Sequence, residues 1–283
     1  MIGVVVTYAL REALRRRVFL VVLLLTLLFL ALYALANYYV FRDVAAVHLP
    51  EDVHADKRSF AGVFLSGLAM FAALFLGVVL AVFLTLGVVA GDAERGLLQP
   101  LVVRPLGRAS LLVGRFVAAA AVCAAYVLAV YLGATLITGL IGHTWPGAVF
   151  WPGVTLAAAV ALVAAISLLG SIFLSGTANG IAVFMIFGAG LVSGLLGTVG
   201  HALGSHTISH AAHIAAWALP FEALYQDALR QITEHTTGLA GVVLQLGPFG
   251  GAYVGGWSVR LWAAGYLGAV GLLAIRAFAR RDL

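Results

Sequence analysis

The residues of this chain that could do chemistry lie mainly in one polar stretch, residues 91–115, with the sequence GDAERGLLQPLVVRPLGRASLLVGR. Acids stand near its start, at Asp92 and Glu94, and arginines are spread along it. Acids favour the amino end of a helix, and arginines can bind acids on a second protein. Its glycines are not followed by the lysine and serine or threonine of a phosphate-binding loop. The stretch therefore suits contact with another protein better than nucleotide binding, and the alternative is that its arginines only orient the neighbouring segments.

The second group that could do chemistry is formed by His206, His210 and His213, which follow the pattern H-x3-H-x2-H. On a helix these side chains lie on one face and could together bind a transition metal. The same pattern suits the polar face of a helix at a membrane surface, and no acid stands where a metalloprotease helix needs one. The sequence therefore predicts no metal or other cofactor in this chain, with these histidines as the one candidate metal site.

Composition defines the class of protein in which these groups are placed. The chain has 283 residues, of which 63% are hydrophobic and 10% charged, and a mean hydropathy of +1.10. That leaves too little polar surface for a soluble protein and predicts an all-α polytopic membrane protein. The net charge of +5 then concerns orientation in the membrane, because the sequence contains no soluble module that could bind nucleic acid.

Six apolar stretches are long enough to cross a bilayer. They cover about residues 18–40, 60–90, 116–142, 154–174, 181–199 and 259–278. The polar stretch 91–115 joins the second and third, and residues 200–258 form an extracytoplasmic segment before the last. The glycine-rich part 239–257 is broken by Gly247-Pro248, so we expect it to dip into the membrane or lie against the bundle rather than cross it. The chain thus forms a single transmembrane domain, residues 1–283.

The arginines predict the orientation of the six spans. With both termini and residues 91–115 in the cytoplasm, eleven of the 16 basic residues lie on the cytoplasmic side, as the positive-inside rule requires. They are Arg11, Arg15, Arg16, Arg17, Arg95, Arg104, Arg108, Arg115, Arg276, Arg280 and Arg281. The first four alternate with leucines at helical spacing, which predicts an amphipathic helix on the membrane surface before the first span. The alternative is that these four only orient that span.

The spans themselves carry small residues rather than charges. No charged residue stands in their central turns, which disfavours ion-coupled transport because the coupling ion needs a ligand there. Gly190 and Gly194 have GxxxG spacing, which permits close contact between helices. Such contact serves either packing within one chain or pairing of two copies.

Residues 91–115 resemble the cytoplasmic loop of ABC-2-type transporter permeases. In that loop an acid and a glycine precede leucines, a proline, an arginine three positions later, and a glycine with a basic residue. The matching residues are Glu94, Gly96, Leu98, Leu101, Pro105, Arg108, Gly114 and Arg115. The arginines before the first span, the six-span layout and the basic carboxyl terminus also agree, so the resemblance covers essentially the whole chain. The sequence departs from the pattern at Leu97, where threonine is frequent, at Pro100 inside the expected short helix, and at Arg115, where lysine is more usual.

The resemblance implies a permease subunit in a prokaryotic plasma membrane. In such a transporter residues 91–115 would fit a cleft on a separate ATPase subunit, which binds ATP and magnesium. A second permease, either another copy of this chain or a related chain, would complete the pathway. The apolar spans suit export of a hydrophobic or amphipathic substrate. Two other classes stay open: a membrane-embedded metal-dependent enzyme that uses the extracytoplasmic histidines, and a membrane anchor or assembly subunit that transports nothing.

Overall fold

The computed structural model describes residues 6–7, 11, 17–44, 57–85, 108–233 and 256–280. In these ranges the chain is helical apart from short connections and contains no strand. The helices are α1 (Arg17–Val44), α2 (Lys57–Thr85), α3 (Arg108–Gly142), α4 (Phe150–Phe173), α5 (Gly176–Ala202), α6 (His206–Ala218), α7 (Pro220–Thr233) and α8 (Trp257–Ala279). The predicted all-α fold is confirmed.

In the described ranges, six helices are long and apolar enough to cross a membrane. These segments are Phe19–Asp43, Lys57–Thr85, Ala109–Gly142, Phe150–Phe173, Gly176–Gly197 and Trp257–Ala279. Each overlaps one of the six stretches predicted from hydropathy. The chain is therefore a multi-pass membrane protein.

Helix α3 begins at Arg108 rather than at residue 116, where the apolar run starts. Residues 108–115 contain no proline, and their leucines and valine continue a helix without interruption. The helix has 35 residues, which makes it about 52 Å long against a hydrocarbon core of about 30 Å. It therefore extends beyond the hydrocarbon core, and the last part of the polar stretch is helical.

The spans run antiparallel and define two ends of the bundle. The loop end is the end at which α3 begins, within the polar stretch 91–115, and at which α8 ends. There Leu112 lies in one apolar cluster with Ile172 of α4 and Phe278 of α8. At the opposite end, called the hairpin end because the hairpin formed by α6 and α7 opens there, α4 and α8 begin. The side chain of Phe41, near the end of α1, reaches Gly142 at the end of α3. These contacts fix which helix termini share each side of the bundle.

Helix α4 forms the centre of the bundle and is the most buried of the six spans. Its alanines let α2, α3 and α7 approach closely, since small side chains permit short distances between helix axes in membranes. Polar side chains add links near the loop end, where the Thr85 and Ser167 hydroxyls are 2.6 Å apart. Asn179 of α5 donates from Nδ2 to the Ser167 carbonyl at 2.9 Å. Helices α2, α4 and α5 are therefore joined by buried hydrogen bonds as well as by apolar contact.

Helices α6 and α7 form a hairpin that returns beside α5 into the bundle. A side chain at Gly197 would meet the Cβ of Ala212 at 3.5 Å, so α6 runs back along α5. The ring of Phe221, at the start of α7, lies against Gly190, deeper along α5. Helix α7 then runs back to the hairpin end, where α4 begins and where Gln231 donates to the Thr155 hydroxyl at 3.3 Å. The segment expected to lie outside the membrane thus includes a helix inside the bundle.

Gly190 and Gly194 serve contact within the chain. The ring of Phe221 occupies the space above Gly190, and the carboxyl of Glu222 occupies the space above Gly194. Of the two uses that the spacing allows, the structure shows packing against α7. Residues 239–257, for which the sequence predicts a segment dipping into the membrane, lie outside the described residues.

We predict that Gly77→Ala destabilises the bundle while Gly265→Ala does not. A Cβ at Gly77 would lie 2.6 Å from Val127 Cγ2 and 3.0 Å from Val160 Cγ2, whereas nothing lies within 4 Å of one at Gly265. Overpacking of this kind costs about 1–3 kcal/mol, and alanine at an open helical glycine gains up to about 1 kcal/mol. Thermal unfolding in detergent should show a lower Tm only for Gly77→Ala; equal Tm values would contradict the close packing of α2, α3 and α4.

Candidate functional site

The site predicted from residues 91–115 is described only at its carboxyl end. Five of its eight residues lie outside the described ranges: Glu94, Gly96, Leu98, Leu101 and Pro105. Arg108 is the first residue of α3. Gly114 is buried and Arg115 half-buried in the second turn of the same helix. The role of these residues in binding a partner stays a prediction, but the helix places the last three on one rigid element.

The first turns of α3 are packed into the loop end of the bundle. Leu112 is 3% exposed and shares an apolar cluster with Leu168 and Ile172 of α4 and with Ala274 and Phe278 of α8. Contact between interdigitated apolar side chains leaves little freedom for one helix to move without the others. A force applied where α3 begins would therefore reach α4 and α8 directly.

The predicted surface helix is described at only a few positions. Arg11 is helical and exposed, and Arg17 is the first residue of α1. Arg15 and Arg16 lie outside the described residues. The amphipathic helix before the first span therefore stays a prediction.

The three histidines lie on α6 and are all exposed. His213 accepts a hydrogen bond at Nε2 from Trp217 Nε1 at 3.3 Å. Trp217 in turn lies 5.3 Å from Trp262 of α8, measured between ring centroids. No group of three or more metal-binding side chains occurs within the described part of the chain. The arrangement is that of a polar face beside interfacial aromatic rings.

The most polar buried site in the described chain is on α7, and the sequence did not indicate it. Asp227 is 4% exposed and forms an ion pair with Arg260 of α8, with Nη2 and Oδ2 2.8 Å apart. Gln231 donates to the same Asp227 oxygen at 3.2 Å. Its amide also reaches Thr155 of α4. Because a buried carboxylate must be paired or hydrogen-bonded, this network lets a polar helix occupy the core.

Glu222 lies one to two turns earlier on α7 and is 2% exposed. Gln226 donates to its Oε1 at 2.7 Å, while its Oε2 has no hydrogen-bond partner in the described protein. Burial raises the pKa of the Glu222 carboxyl to about 7, and the Gln226 hydrogen bond opposes that shift. The expectation that the six spans lack central charges holds, but α7 brings an acid into the core between them.

The sequence carried only a partial signal for this site. Pro220 is a favoured first residue of a helix, and Phe221, Leu224, Tyr225 and Ala228 recur at helical spacing. That pattern predicts a helix with one buried face, and such a helix is normally found at a surface. Burial on all sides depends on Gly194 and Arg260, which are distant in sequence.

The geometry defines a helical, multi-pass membrane protein with a polar helix buried among its spans. Comparison with protein families then assigns the family. The model of the ABC-2 family transporter proteins matches residues 4–283, nearly the whole chain. The chain therefore belongs to the ABC-2 family of transporter proteins, as the sequence resemblance indicated. A search among curated proteins finds no match.

We predict that Glu222 makes stability depend on pH below neutrality. Its folded pKa is about 7 and its ordinary value is 4.5, so between these pH values the folded chain holds a proton that the unfolded chain has released. The contribution of the protonated Glu222 to the free energy of unfolding is therefore fully present below pH 4.5 and is lost as pH rises toward 7. A shift of this size corresponds to about 3 kcal/mol.

The measurement is thermal unfolding in detergent across this pH range, compared between the wild type and Glu222→Gln. Glutamine keeps the shape and cannot ionise, so the variant should lose this part of the pH dependence. The three histidines of α6 are present in both proteins and cancel in the difference. An equal decline of Tm with pH in both proteins would contradict the assignment.

Proposed function

We propose that the chain is the membrane-spanning permease subunit of an ATP-driven exporter and is coupled through residues 91–115 to a separate ATPase subunit. The ATPase would bind ATP and magnesium, so this chain would carry no catalytic residue. Membership of the ABC-2 transporter family over residues 4–283 is the observation that carries the proposal. The arginines at the loop end support a cytoplasmic position for that end, and hence for the ATPase.

Helix α3 supports the proposed coupling by its length and its contacts. It begins at Arg108, inside the polar stretch, and continues to Gly142 at the hairpin end. Near its start Leu112 is fixed between α4 and α8, and farther along Val127 lies against Gly77 of α2. A movement of residues 91–107 on the ATPase would therefore displace a helix that contacts four other spans, α1, α2, α4 and α8.

The proposed substrate is hydrophobic or amphipathic, and the proposed direction is outward. The exposed faces in the middle of α1 and α5 are apolar, as shown by Leu24, Leu28, Ile181 and Met185. Exposed faces of this kind meet lipid or a second permease copy. A route at the interface of two copies would have apolar walls, which suit a substrate taken from the membrane of a prokaryotic cell.

We predict that Glu94→Ala and Arg108→Ala each uncouple the ATPase without preventing insertion of the permease. The ATPase should co-purify with the wild-type permease, and its activity should be stimulated by it. Loss of one charge-assisted contact of about 1.4 kcal/mol would weaken the association roughly tenfold. Gly265→Ala, which changes an open position of α8, is the matched control.

Membrane insertion is checked by the amount of folded protein in detergent, so that coupling and folding are separated. Unchanged stimulation in both charge variants would refute the coupling role of residues 91–115. Absence of any co-purifying ATPase would refute the proposed function itself and favour the anchor or the metal-dependent enzyme.

We also predict that the functional unit contains two permease copies. Mass measurement of the reconstituted complex should show two permeases with two ATPases. A homogeneous permease monomer that supports transport with its ATPase would show that a second copy is unnecessary.

A further inference from the structure

A groove at the loop end lies between α4 and α8, beside the apolar cluster that holds Leu112, with which it shares Ile172. Its volume is about 760 Å³, within the range of about 300–1,000 Å³ found for ligand pockets. Leu169, Ile172 and Phe173 of α4 line one side, and the other side is lined by Leu273, Arg276 and Ala277 of α8 together with Arg280, which caps that helix. The groove thus combines apolar walls with two guanidinium groups.

Arg276 lies in the last turn of α8, and Arg280, the residue that caps the helix, continues the same face. They are four residues apart, which places their side chains next to each other along the helix, and both are exposed. Arg42 has Asp43 as its partner and Arg260 has Asp227, both away from the loop end. Among the described residues no acid lies within ion-pair distance of Arg276 or Arg280. The groove therefore carries two positive charges.

The walls of the groove favour an apolar occupant. Phe173 is 66% exposed and Leu273 is 54% exposed, and both lie toward the loop ends of their spans. Exposed apolar side chains of a span contact acyl chains, which are as apolar as they are. An occupant that matches the whole groove must therefore carry a negative group at one end and an apolar chain at the other.

We propose that this groove binds an anionic glycerophospholipid, with its phosphate on Arg276 and Arg280 and an acyl chain against Phe173 and Leu273. Guanidinium groups bind phosphate through paired, charge-assisted hydrogen bonds. Basic pockets between spans on the cytoplasmic side bind anionic headgroups. A zwitterionic lipid such as phosphatidylcholine would bring its positively charged ammonium group toward the same two guanidinium groups, so it binds less tightly. This site does not depend on coupling to the ATPase.

The test is native mass spectrometry of the full chain released from nanodiscs that contain equal parts of phosphatidylglycerol and phosphatidylcholine. The wild type should retain phosphatidylglycerol selectively. Arg276→Gln with Arg280→Gln should lower that retention about tenfold, whereas Arg276→Lys with Arg280→Lys should keep part of it. Arg42→Gln with Arg58→Gln removes two charges at the hairpin end and should leave retention unchanged.

Each alternative has an outcome that would overturn the proposal. Equal retention in the double glutamine variant, with normal helix content by circular dichroism, means that the arginines hold no lipid. If glycerol phosphate displaces bound phosphatidylglycerol as effectively as added phosphatidylglycerol does, the groove binds only the phosphate and makes no contribution through the acyl chain. High-yield disulfide formation between two copies carrying Leu273→Cys, in nanodiscs rich in phosphatidylglycerol, means that a second copy fills the groove. The native Cys123 is buried and gives little background in that measurement.

Discussion

The ion pair between Asp227 and Arg260 holds a polar helix inside an apolar bundle. A carboxylate moved alone into such a core would cost several kcal/mol, because water no longer solvates it. Here Arg260 supplies the opposite charge at 2.8 Å, and Gln231 supplies a further donor. The side chain of Arg260 keeps 33% of its surface exposed, so the pair lies where the core meets the hairpin end. These polar contacts fix the second half of α7, while Phe221 and Glu222 fix its first half against α5.

The position of α7 explains the glycines of α5. Gly190, Gly194, Gly197 and Gly200 recur at intervals of three or four residues and therefore form one stripe along the helix. Each lies against the hairpin: Phe221 and Glu222 cover the first two, and Ala212 and Ser209 approach the others. A glycine inside a helix costs up to about 1 kcal/mol relative to alanine. The close contact of α5 with both arms of the hairpin offsets that cost.

The spans could be predicted from the sequence because a long apolar run has few other stable placements. Their ends could be predicted less well, since hydropathy marks the hydrocarbon core and not the end of a helix. For that reason the predicted third span starts at residue 116, whereas α3 begins at Arg108. The place of α7 could not be read from the sequence at all. Its alternation of apolar and polar residues predicts one exposed face, but Gly194 and Arg260 provide partners for that face.

The candidate site was predictable only in part, and for the same physical reason. Glu94 and Arg108 are predicted to contact the ATPase from the order of residues in one continuous stretch, which a sequence preserves. The burial of Glu222 could be recognised only from the packing of α5 against α7, because the residues that bury it are distant in sequence. Local patterns therefore point to surfaces that meet a partner, whereas ionisable groups inside a bundle depend on tertiary contacts.

The two ends of the molecule are connected by α4 and α8. At the loop end both helices hold Leu112 of α3 in an apolar cluster. At the hairpin end Thr155 of α4 and Arg260 of α8 both hold α7 by polar contacts. Close-packed apolar contacts resist separation, whereas polar groups can exchange a protein partner for water once a gap opens. In the proposed coupling, a displacement that begins at α3 would be carried through the apolar cluster, and the polar contacts of α7 would be the ones best able to rearrange.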